Sequence, residues 1–377
     1  MARYAIGGAV GCSGFICLLL VAAIVVATVP DLVGLPLSVA AAVLPAMVFV
    51  PAVIWLDRYE RESVRMLLGA FFWGAVVAIV IALILEVAGT YVAGALLGSD
   101  GAPVAITVLG APLIEEMSKG LALLILFFLL KGEFDDALDG IIYGSVVGLG
   151  FAMTENMVYF GQRFMEAGVG GLAELFVLRV VLAGLGHALY TGTTGAGLGY
   201  AREITNRGLK VVIPMAAFGL GFVQHLLWNG TLEAIGRLVP SSDSFSGIVP
   251  LVALMSVVLS GPAILVLLTI VFFTWRRERR IIATFLAGEV SSGVVLAEDI
   301  TALVSSRHRA RATYSALFRR GIGYWYQLRR LHNTEVKLAF AKRHASQVDR
   351  TRRRPILEAE DVLRSRIVEI RARLWEL

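Results

Sequence analysis

Two adjacent glutamates, Glu115 and Glu116, interrupt the apolar stretch 102–130, and Lys119 follows one helical turn later. A stretch of this length is long enough to cross a bilayer, which needs roughly 20 apolar residues. A carboxylate at bilayer depth costs at least about 2.5–3.5 kcal/mol. Glu115 and Lys119 could form a local i,i+4 ion pair. Two neighbouring carboxylates beside a lysine nevertheless indicate chemistry or ion handling inside the membrane.

Polar side chains also interrupt three later apolar stretches of the chain. They are Glu155 and Asn156 in one stretch, His187, Thr191 and Thr194 in the next, and His225 and Asn229 in the third. The last pair is spaced i,i+4 and therefore lies on one helical face. Threonines in apolar helices more often bond to helix carbonyls than act chemically.

The four stretches place their polar residues at one predicted depth. Glu115, Glu155, His187 and His225 each lie about 13–17 residues from the predicted cytoplasmic end of their stretch, or roughly 20–25 Å at 1.5 Å per residue. A single buried histidine or asparagine often only forms a hydrogen bond between two helices. Four consecutive helices that place such residues in one layer favour a shared site. Glu86 reaches a similar depth without a motif around it and is interpreted as an outer partner.

Glutamate and histidine in an enclosed, partly wet cavity suit the activation of water. Histidine and asparagine side chains could stabilise the oxyanion that forms when water attacks an amide. A catalytic zinc site is the other option, with His187, His225 and one of the glutamates, Glu155 being the candidate, as ligands. The sequence His-Glu-x-x-His is absent. Metal and glutamate chemistry therefore both stay open.

Two functions without proteolysis compete with this interpretation. A proton-coupled transporter or channel also uses glutamate and histidine near the bilayer midplane. The halves of the chain show no inverted repeat, however, and the polar residues converge on one layer instead of forming a path. A non-catalytic scaffold is the third hypothesis, and the intact set of acids and histidines speaks against it.

The motifs resemble those of a known family, the PrsW intramembrane proteases. Glu115-Glu116-Met117-Ser118-Lys119 resembles the family's Glu-Glu-x-x-Lys motif, and residues 151–156 resemble its Phe-x-x-x-Glu-Asn motif. The pairs His187/Thr191 and His225/Asn229 are similar to its two histidine motifs, and residues 57–62 to its acidic–basic segment. The distantly related CAAX prenyl endopeptidases usually have Phe-x-x-x-His at the second motif, so Glu155-Asn156 favours the PrsW side. The resemblance covers roughly residues 40–270.

The resemblance implies hydrolysis of a peptide bond in or near the membrane-embedded part of a membrane protein, typically a single-pass regulator such as an anti-sigma factor. It implies Glu116 or Glu155 as general base, histidines that bind water or a metal, possible use of Zn²⁺, and Asn229 as an oxyanion donor. The candidate catalytic residues are Glu115, Glu116, Lys119, Glu155, Asn156, His187, His225 and Asn229.

The composition predicts an all-α polytopic membrane protein. Of 377 residues 57% are hydrophobic and 17% charged, whereas soluble domains average about 25% charged residues. The hydropathy profile predicts about eight transmembrane helices. They cover approximately residues 5–29, 36–56, 66–97, 102–130, 138–160, 172–200, 210–233 and 248–274. The first is interpreted as a retained helix and not as a signal peptide.

Basic residues indicate the orientation in a bacterial plasma membrane. Lysine and arginine concentrate in the connections after the second and sixth spans and in the tail, so the positive-inside rule places both termini in the cytoplasm. We therefore expect a transmembrane protease domain over 1–274 and a basic cytoplasmic tail over 275–377.

The tail predicts two to four amphipathic helices that form a small regulatory or oligomerisation domain. Its arginine clusters favour contact with lipid headgroups. Nucleic acid is not an expected partner, because acidic residues are interspersed and no known motif occurs. The tail histidines His308, His332 and His344 have no ligand spacing and are expected to face solvent.

Overall fold

The computed structural model describes residues 2–129, 134–239, 245–347 and 354–376. This part of the chain is helical and contains no β-strand. The α-helices, numbered in chain order, are α1 (Ala2–Thr28), α2 (Gly34–Ile54), α3 (Val64–Phe72), α4 (Ile79–Ala105), α5 (Ala111–Leu129), α6 (Ala137–Phe176), α7 (Gly186–Glu203), α8 (Leu209–Leu238), α9 (Phe245–Met255), α10 (Gly261–Ser291), α11 (Ala297–Leu303), α12 (Ser306–Gln347) and α13 (Arg354–Glu376). Four π-helical segments join them: π1 (Trp73–Ala78), π2 (Ile106–Gly110), π3 (Val177–Leu182) and π4 (Ser256–Ser260).

Five helical runs of the described residues are long and apolar enough to cross a membrane. They are Gly34–Ile54, Val64–Leu129, Ala137–Glu203, Leu209–Leu238 and Phe245–Ser291, and Ser13–Thr28 is a shorter apolar helix. The prediction of an all-α membrane protein is confirmed. Two of the runs, with 66 and 67 residues, are each roughly 100 Å long by helical rise. Gly98 and Gly168, with φ of 75° and 63°, interrupt them with backbone that glycine alone adopts readily.

The chain forms two compact units. The first combines Met1–Leu56 with Glu62–Ile270, and the second combines Asp57–Arg61 with Val271–Leu377. Helix α10 does not stop at the predicted span end near residue 274 but continues through the basic cluster to Ser291.

Glycines bring α6 and α7 into backbone contact. A Cβ atom on Gly140 would overlap the carbonyl oxygen of Gly195, and one on Gly148 would overlap that of His187. Such small residues let apolar helices approach closely where lipid offers no hydrophobic driving force between them. Since Glu155 lies seven residues after Gly148, on the same face of α6, this approach sets His187 beside Glu155.

The π-helical segments free backbone carbonyls that side chains of neighbouring helices then satisfy. Thr154 Oγ1 donates to the carbonyl of Ala75 in π1 at 2.7 Å. Asn229 Nδ2 donates to the carbonyl of Thr107 in π2 at 3.0 Å. In an apolar surrounding each unsatisfied backbone group costs several kcal/mol, so these bonds make the irregular segments possible.

The second unit has its own hydrophobic core. Ile282, Leu286, Leu303 and Leu338 are completely buried in it. The helices of this unit thus bury one set of apolar side chains. A further set of residues completes this core, namely Tyr59, Val295, Leu331, Val336, Ile367, Ile370 and Leu374.

One expectation for the tail histidines is wrong. His332 is only 3% exposed, because it follows Leu331 on the inward face of α12 and faces the core. His308 and His344 are exposed, as expected.

The contact between α6 and α7 predicts opposite outcomes for two glycine substitutions on one helix. Gly140→Ala inserts a methyl group into the Gly195 backbone, and overpacking of this kind costs about 1–3 kcal/mol. Gly170→Ala has nothing within 4 Å of the new Cβ atom, and alanine favours helix by about 1 kcal/mol. We expect the thermal midpoint in detergent to fall for the first variant and to stay or rise for the second. A Gly140→Ala midpoint at the wild-type value would contradict this packing.

Candidate active site

Helix α5 buries both glutamates and the lysine. Glu115, Glu116 and Lys119 are 5%, 1% and 0% exposed. The i,i+3 and i,i+4 spacing lets one ammonium group reach both carboxylates: Lys119 Nζ lies 2.6 Å from Glu116 Oε1 and 3.4 Å from Glu115 Oε2. Although the two glutamates are about 100° apart on the helix, both face the interior.

Glu116 is the most heavily bonded of the carboxylates in this site. In addition to Lys119, His225 Nδ1 lies 3.0 Å from Glu116 Oε1. Thr191 Oγ1 donates to Glu116 Oε2 at 3.0 Å. Both oxygens of Glu116 are therefore engaged, and Thr191 bonds to this carboxylate instead of to its own helix.

His187 is held between Glu155 and Lys119. Its Nε2 lies 3.1 Å from Glu155 Oε2, and its Nδ1 lies 3.0 Å from Lys119 Nζ. Arg179 forms an ion pair with Glu155 and donates through Nε to Asn156 Oδ1 at 2.6 Å. We call the residues Glu115, Glu116, Lys119, Glu155, Arg179, His187 and His225 the acid–histidine cluster.

The two histidines converge on Glu115. Its Oε2 lies 3.8 Å from His187 Nδ1 and 3.9 Å from His225 Nε2. The ring centroids of the histidines are 5.1 Å apart, and Tyr190 stacks on His225 at 4.8 Å. Glu115, His187 and His225 offer ligand atoms within 4.8 Å of one another and could hold a metal ion.

The donor set fits a divalent metal. Tetrahedral zinc with bonds of about 2.0–2.1 Å separates its ligand atoms by roughly 3.3 Å, somewhat less than the spacing observed here. Metal-binding histidines almost always give their other ring nitrogen to a carboxylate or carbonyl. His187 does so with Glu155 and His225 with Glu116. The sequence interpretation placed Glu155 among the ligands, whereas the structure groups Glu115 with the histidines.

The charges of the acid–histidine cluster do not cancel. Glu115, Glu116 and Glu155 face Lys119 and Arg179, which leaves one formal negative charge when both histidines are neutral. An uncompensated buried charge is costly. The imbalance thus favours a bound cation or proton. The side chains of Glu155 and His187, 17% and 14% exposed, are more accessible than the glutamates and lysine of α5.

Some candidate residues lie outside the cluster. Asn229 donates to the Thr107 carbonyl, and no contact described for its side chain reaches the histidines. Thr194 Oγ1 donates to the Tyr190 carbonyl of its own helix at 3.5 Å. Glu86 is partly buried and interacts electrostatically with Glu155 and Lys119.

The sequence interpretation missed Arg179 and Tyr190. An arginine inside the apolar stretch 172–200 was a usable signal, because ionisable residues at membrane depth are functional candidates by default. The stretch was interpreted as one helix, whereas π3 and a turn at residues 183–185 interrupt it. This break lets Arg179 and His187 reach Glu155 together. The aromatic ring of Tyr190 carried no such signal among apolar neighbours.

Comparisons with known proteins agree with this geometry. A family model described as PrsW family intramembrane metalloprotease matches residues 62–260. Protease PrsW of Geobacillus kaustophilus (strain HTA426) is 32% identical over 200 residues, which cover 53% of this chain and 81% of that protein. Protease PrsW of Bacillus subtilis (strain 168) is 29% identical over 187 residues, which cover 48% and 79%. No solved structure matches the chain significantly.

The matched region contains every member of the acid–histidine cluster. A buried group of glutamates and histidines on apolar helices suits hydrolysis within a membrane and not a soluble site. With these relatives, the chain is a multi-pass bacterial membrane protein with peptidase activity, and it belongs to the PrsW family of intramembrane proteases.

Proposed function

We propose that the acid–histidine cluster is the catalytic centre and that Glu115, His187 and His225 hold a Zn²⁺ ion for peptide-bond hydrolysis. One observation carries this proposal. Each histidine bonds one ring nitrogen to a separate carboxylate, at 3.1 Å for Glu155 and 3.0 Å for Glu116, and has its other nitrogen within 3.9 Å of Glu115. That is the arrangement by which proteins fix the ring and tautomer of metal-binding histidines. On His187 that second nitrogen also lies 3.0 Å from Lys119 Nζ, which would have to withdraw when a metal binds.

The hydrogen bonds distinguish the roles of the three glutamates. A zinc ion supplies Lewis-acid activation of water and of the scissile carbonyl. The oxygens of Glu116 are taken by Lys119, His225 and Thr191, so Glu116 orients His225. Glu155 is bound by Arg179 and orients His187. The sequence favoured Glu116 or Glu155 as general base. Because the oxygens of both are engaged in these bonds, and because the described contacts of Glu115 are longer, Glu115 is assigned as the carboxylate ligand.

Lys119 is suited to stabilise developing negative charge. Its ammonium group is fully buried, and it lies within 3.4 Å of Glu115 and 3.0 Å of His187. A preorganised cation in a dry site stabilises an oxyanion far more than one in water. Lys119 therefore balances the carboxylates in the resting enzyme and faces the oxyanion during hydrolysis. Asn229 remains a predicted oxyanion donor, and its bond to Thr107 speaks against that role.

The membrane arrangement that we propose has eight crossings. Two helical runs are each about three times as long as a bilayer core of roughly 30 Å is thick, namely Val64–Leu129 and Ala137–Glu203. Each has room for two crossings, separated by the interruption at Gly98 or Gly168. With α1, α2, α8 and the run Phe245–Ser291, this makes eight. The positive-inside rule then places both termini and the tail, residues 275–377, in the cytoplasm, with the protease domain over 1–274.

The proposed substrate is a single-pass membrane protein such as an anti-sigma factor. Because Arg179, Glu155 and His187 are the more accessible members of the cluster, the peptide approaches from their side. Exposed apolar side chains on the outer face of α5, such as Met117 and Leu121, suit contact with lipid. The peptide would thus enter the cavity from within the bilayer.

Glu115→Gln and His225→Ala are expected to abolish cleavage of a single-pass substrate reconstituted with the purified enzyme. Each variant removes one of the three proposed ligands to the activating ion, so the rate should fall by more than the roughly 10–100-fold that is typical when an outer partner of a ligand is lost. Glu166→Gln is the matched control, because Glu166 is an exposed carboxylate of α6. Cleavage products would be measured by mass spectrometry. Cleavage by Glu115→Gln at the wild-type rate would contradict the role of Glu115 as a metal ligand.

Removal of metal separates the two chemistries left open by the sequence. If zinc is used, a chelator abolishes cleavage and added Zn²⁺ restores it, because the three ligands bind zinc only reversibly. The measurement is initial cleavage rate before chelation, after it and after readdition. Cleavage that continues at the wild-type rate in metal-stripped enzyme would establish glutamate chemistry instead.

Arg179→Gln is expected to lower the cleavage rate about 10–100-fold, as loss of an outer partner of a metal ligand typically does. Arg179→Lys should fall between this variant and wild type, because lysine keeps the charge but cannot bind Glu155 and Asn156 together. Arg163→Gln is the control, since Arg163 forms only exposed ion pairs. Equal rates for Arg179→Gln and Arg163→Gln would show that Arg179 does not position Glu155.

A further inference from the structure

A second buried group of polar side chains lies in the other compact unit. Asp299 of α11 and His332 and Glu335 of α12 offer ligand atoms within 4.8 Å of one another. Arg371 of α13 adjoins them, with Nη2 at 2.7 Å from Asp299 Oδ2 and 2.8 Å from Glu335 Oε1. We call these four residues the tail polar cluster. None of the four belongs to the acid–histidine cluster.

The ion pairs leave part of the tail polar cluster unsatisfied. His332 Nδ1, Glu335 Oε2 and Arg371 Nε are buried and have no hydrogen-bond partner. His332 is 3% and Glu335 0% exposed. A buried polar atom without a partner costs about 1–3 kcal/mol. Several such atoms in one cluster indicate that something else normally occupies the space between them, such as an ion or water.

The charges and donor types favour a cation. Arg371 reaches both Asp299 and Glu335 through a single nitrogen atom, so the two neighbouring carboxyl groups share one cation. The unpartnered Nδ1 of a neutral histidine and the free oxygen of Glu335 are both electron-pair donors. Zinc binds imidazole nitrogens and carboxylate oxygens, and with three protein ligands the fourth position would be taken by water.

We propose that Asp299, His332 and Glu335 form a structural Zn²⁺ site that ties α11 to α12 in the tail unit. Tetrahedral zinc with bonds of about 2.0–2.2 Å separates its ligand atoms by roughly 3.3–3.6 Å. Ligand atoms that now lie within 4.8 Å of one another therefore close in by up to roughly 1–1.5 Å when zinc binds. Arg371 stays as the outer partner that orients both carboxylates. This site is independent of the zinc ion proposed for the catalytic centre.

Zinc content of the full chain tests the proposal. The protein is purified in detergent, stripped with a chelator, reloaded with Zn²⁺ and desalted, and zinc per chain is measured by mass spectrometry. We expect His225→Ala, which removes a ligand of the catalytic centre, to keep about one zinc ion per chain in the tail. Adding His332→Ala to that variant should remove it. His344→Ala, an exposed histidine of the same helix, should leave zinc content unchanged.

Two results would overturn the tail site. One is zinc that stays bound when His332→Ala is added to the His225→Ala chain, and the other is a His225→Ala chain that binds no zinc at all. Either result would leave only a buried ion-pair cluster with bridging water. Neither result concerns the catalytic metal, which is measured as the zinc lost between wild type and His225→Ala. If His332→Ala fails to fold, X-ray absorption of the zinc-loaded His225→Ala chain replaces it. One imidazole nitrogen with carboxylate oxygens supports the site, and zinc bound without imidazole overturns it.

Discussion

The burial of Lys119 is the constraint on which the rest of the protease unit depends. A fully buried ammonium group is tolerable only if several acceptors surround it, because its desolvation costs several kcal/mol. Glu116, Glu115 and His187 lie within 3.4 Å of Lys119 Nζ. The partners need their own donors, so the network extends to His225, Thr191 and, through His187, to Glu155. The acid–histidine cluster is thereby held in place by its own ion pairs and hydrogen bonds.

Close helix packing makes this network possible. An ordinary side chain at Gly140 or Gly148 would hold α6 and α7 apart, and His187 would then not reach Glu155. The π-helical segments serve the same end, since π3 and the following turn change the course of the chain between Arg179 and His187. In an apolar environment such irregular backbone persists only where it is buried in protein or lines a polar cavity. The glycines and π-helices therefore set distances that the polar residues require.

Both compact units pair buried carboxylates with cations. In the tail, Glu289 is held by Lys342 at 2.6 Å and by Arg364 at 2.9 Å, so this buried carboxylate is satisfied by cations alone. The tail polar cluster differs, because its arginine leaves donors and acceptors unused. The difference between a satisfied and an unsatisfied cluster is what distinguishes a structural ion pair from a ligand site. Burial also lowers the pKa of His332 to about 4, against the ordinary value of a histidine, so its ring is neutral near pH 7.

The sequence by itself determined the all-α membrane fold class and the family, and it marked most members of the acid–histidine cluster. Apolar stretches and charged interruptions are local properties, and the expense of a carboxylate in an apolar helix marks Glu115, Glu116 and Glu155 without any knowledge of neighbours. Tertiary structure alone decided that Glu115 approaches both histidines whereas Glu116 and Glu155 each bond to one, because this depends on helix rotation and on competing donors such as Thr191 and Arg179. It also buried His332, whose surroundings come from α11 and α13. Spacing along one helix cannot report contacts that other helices supply.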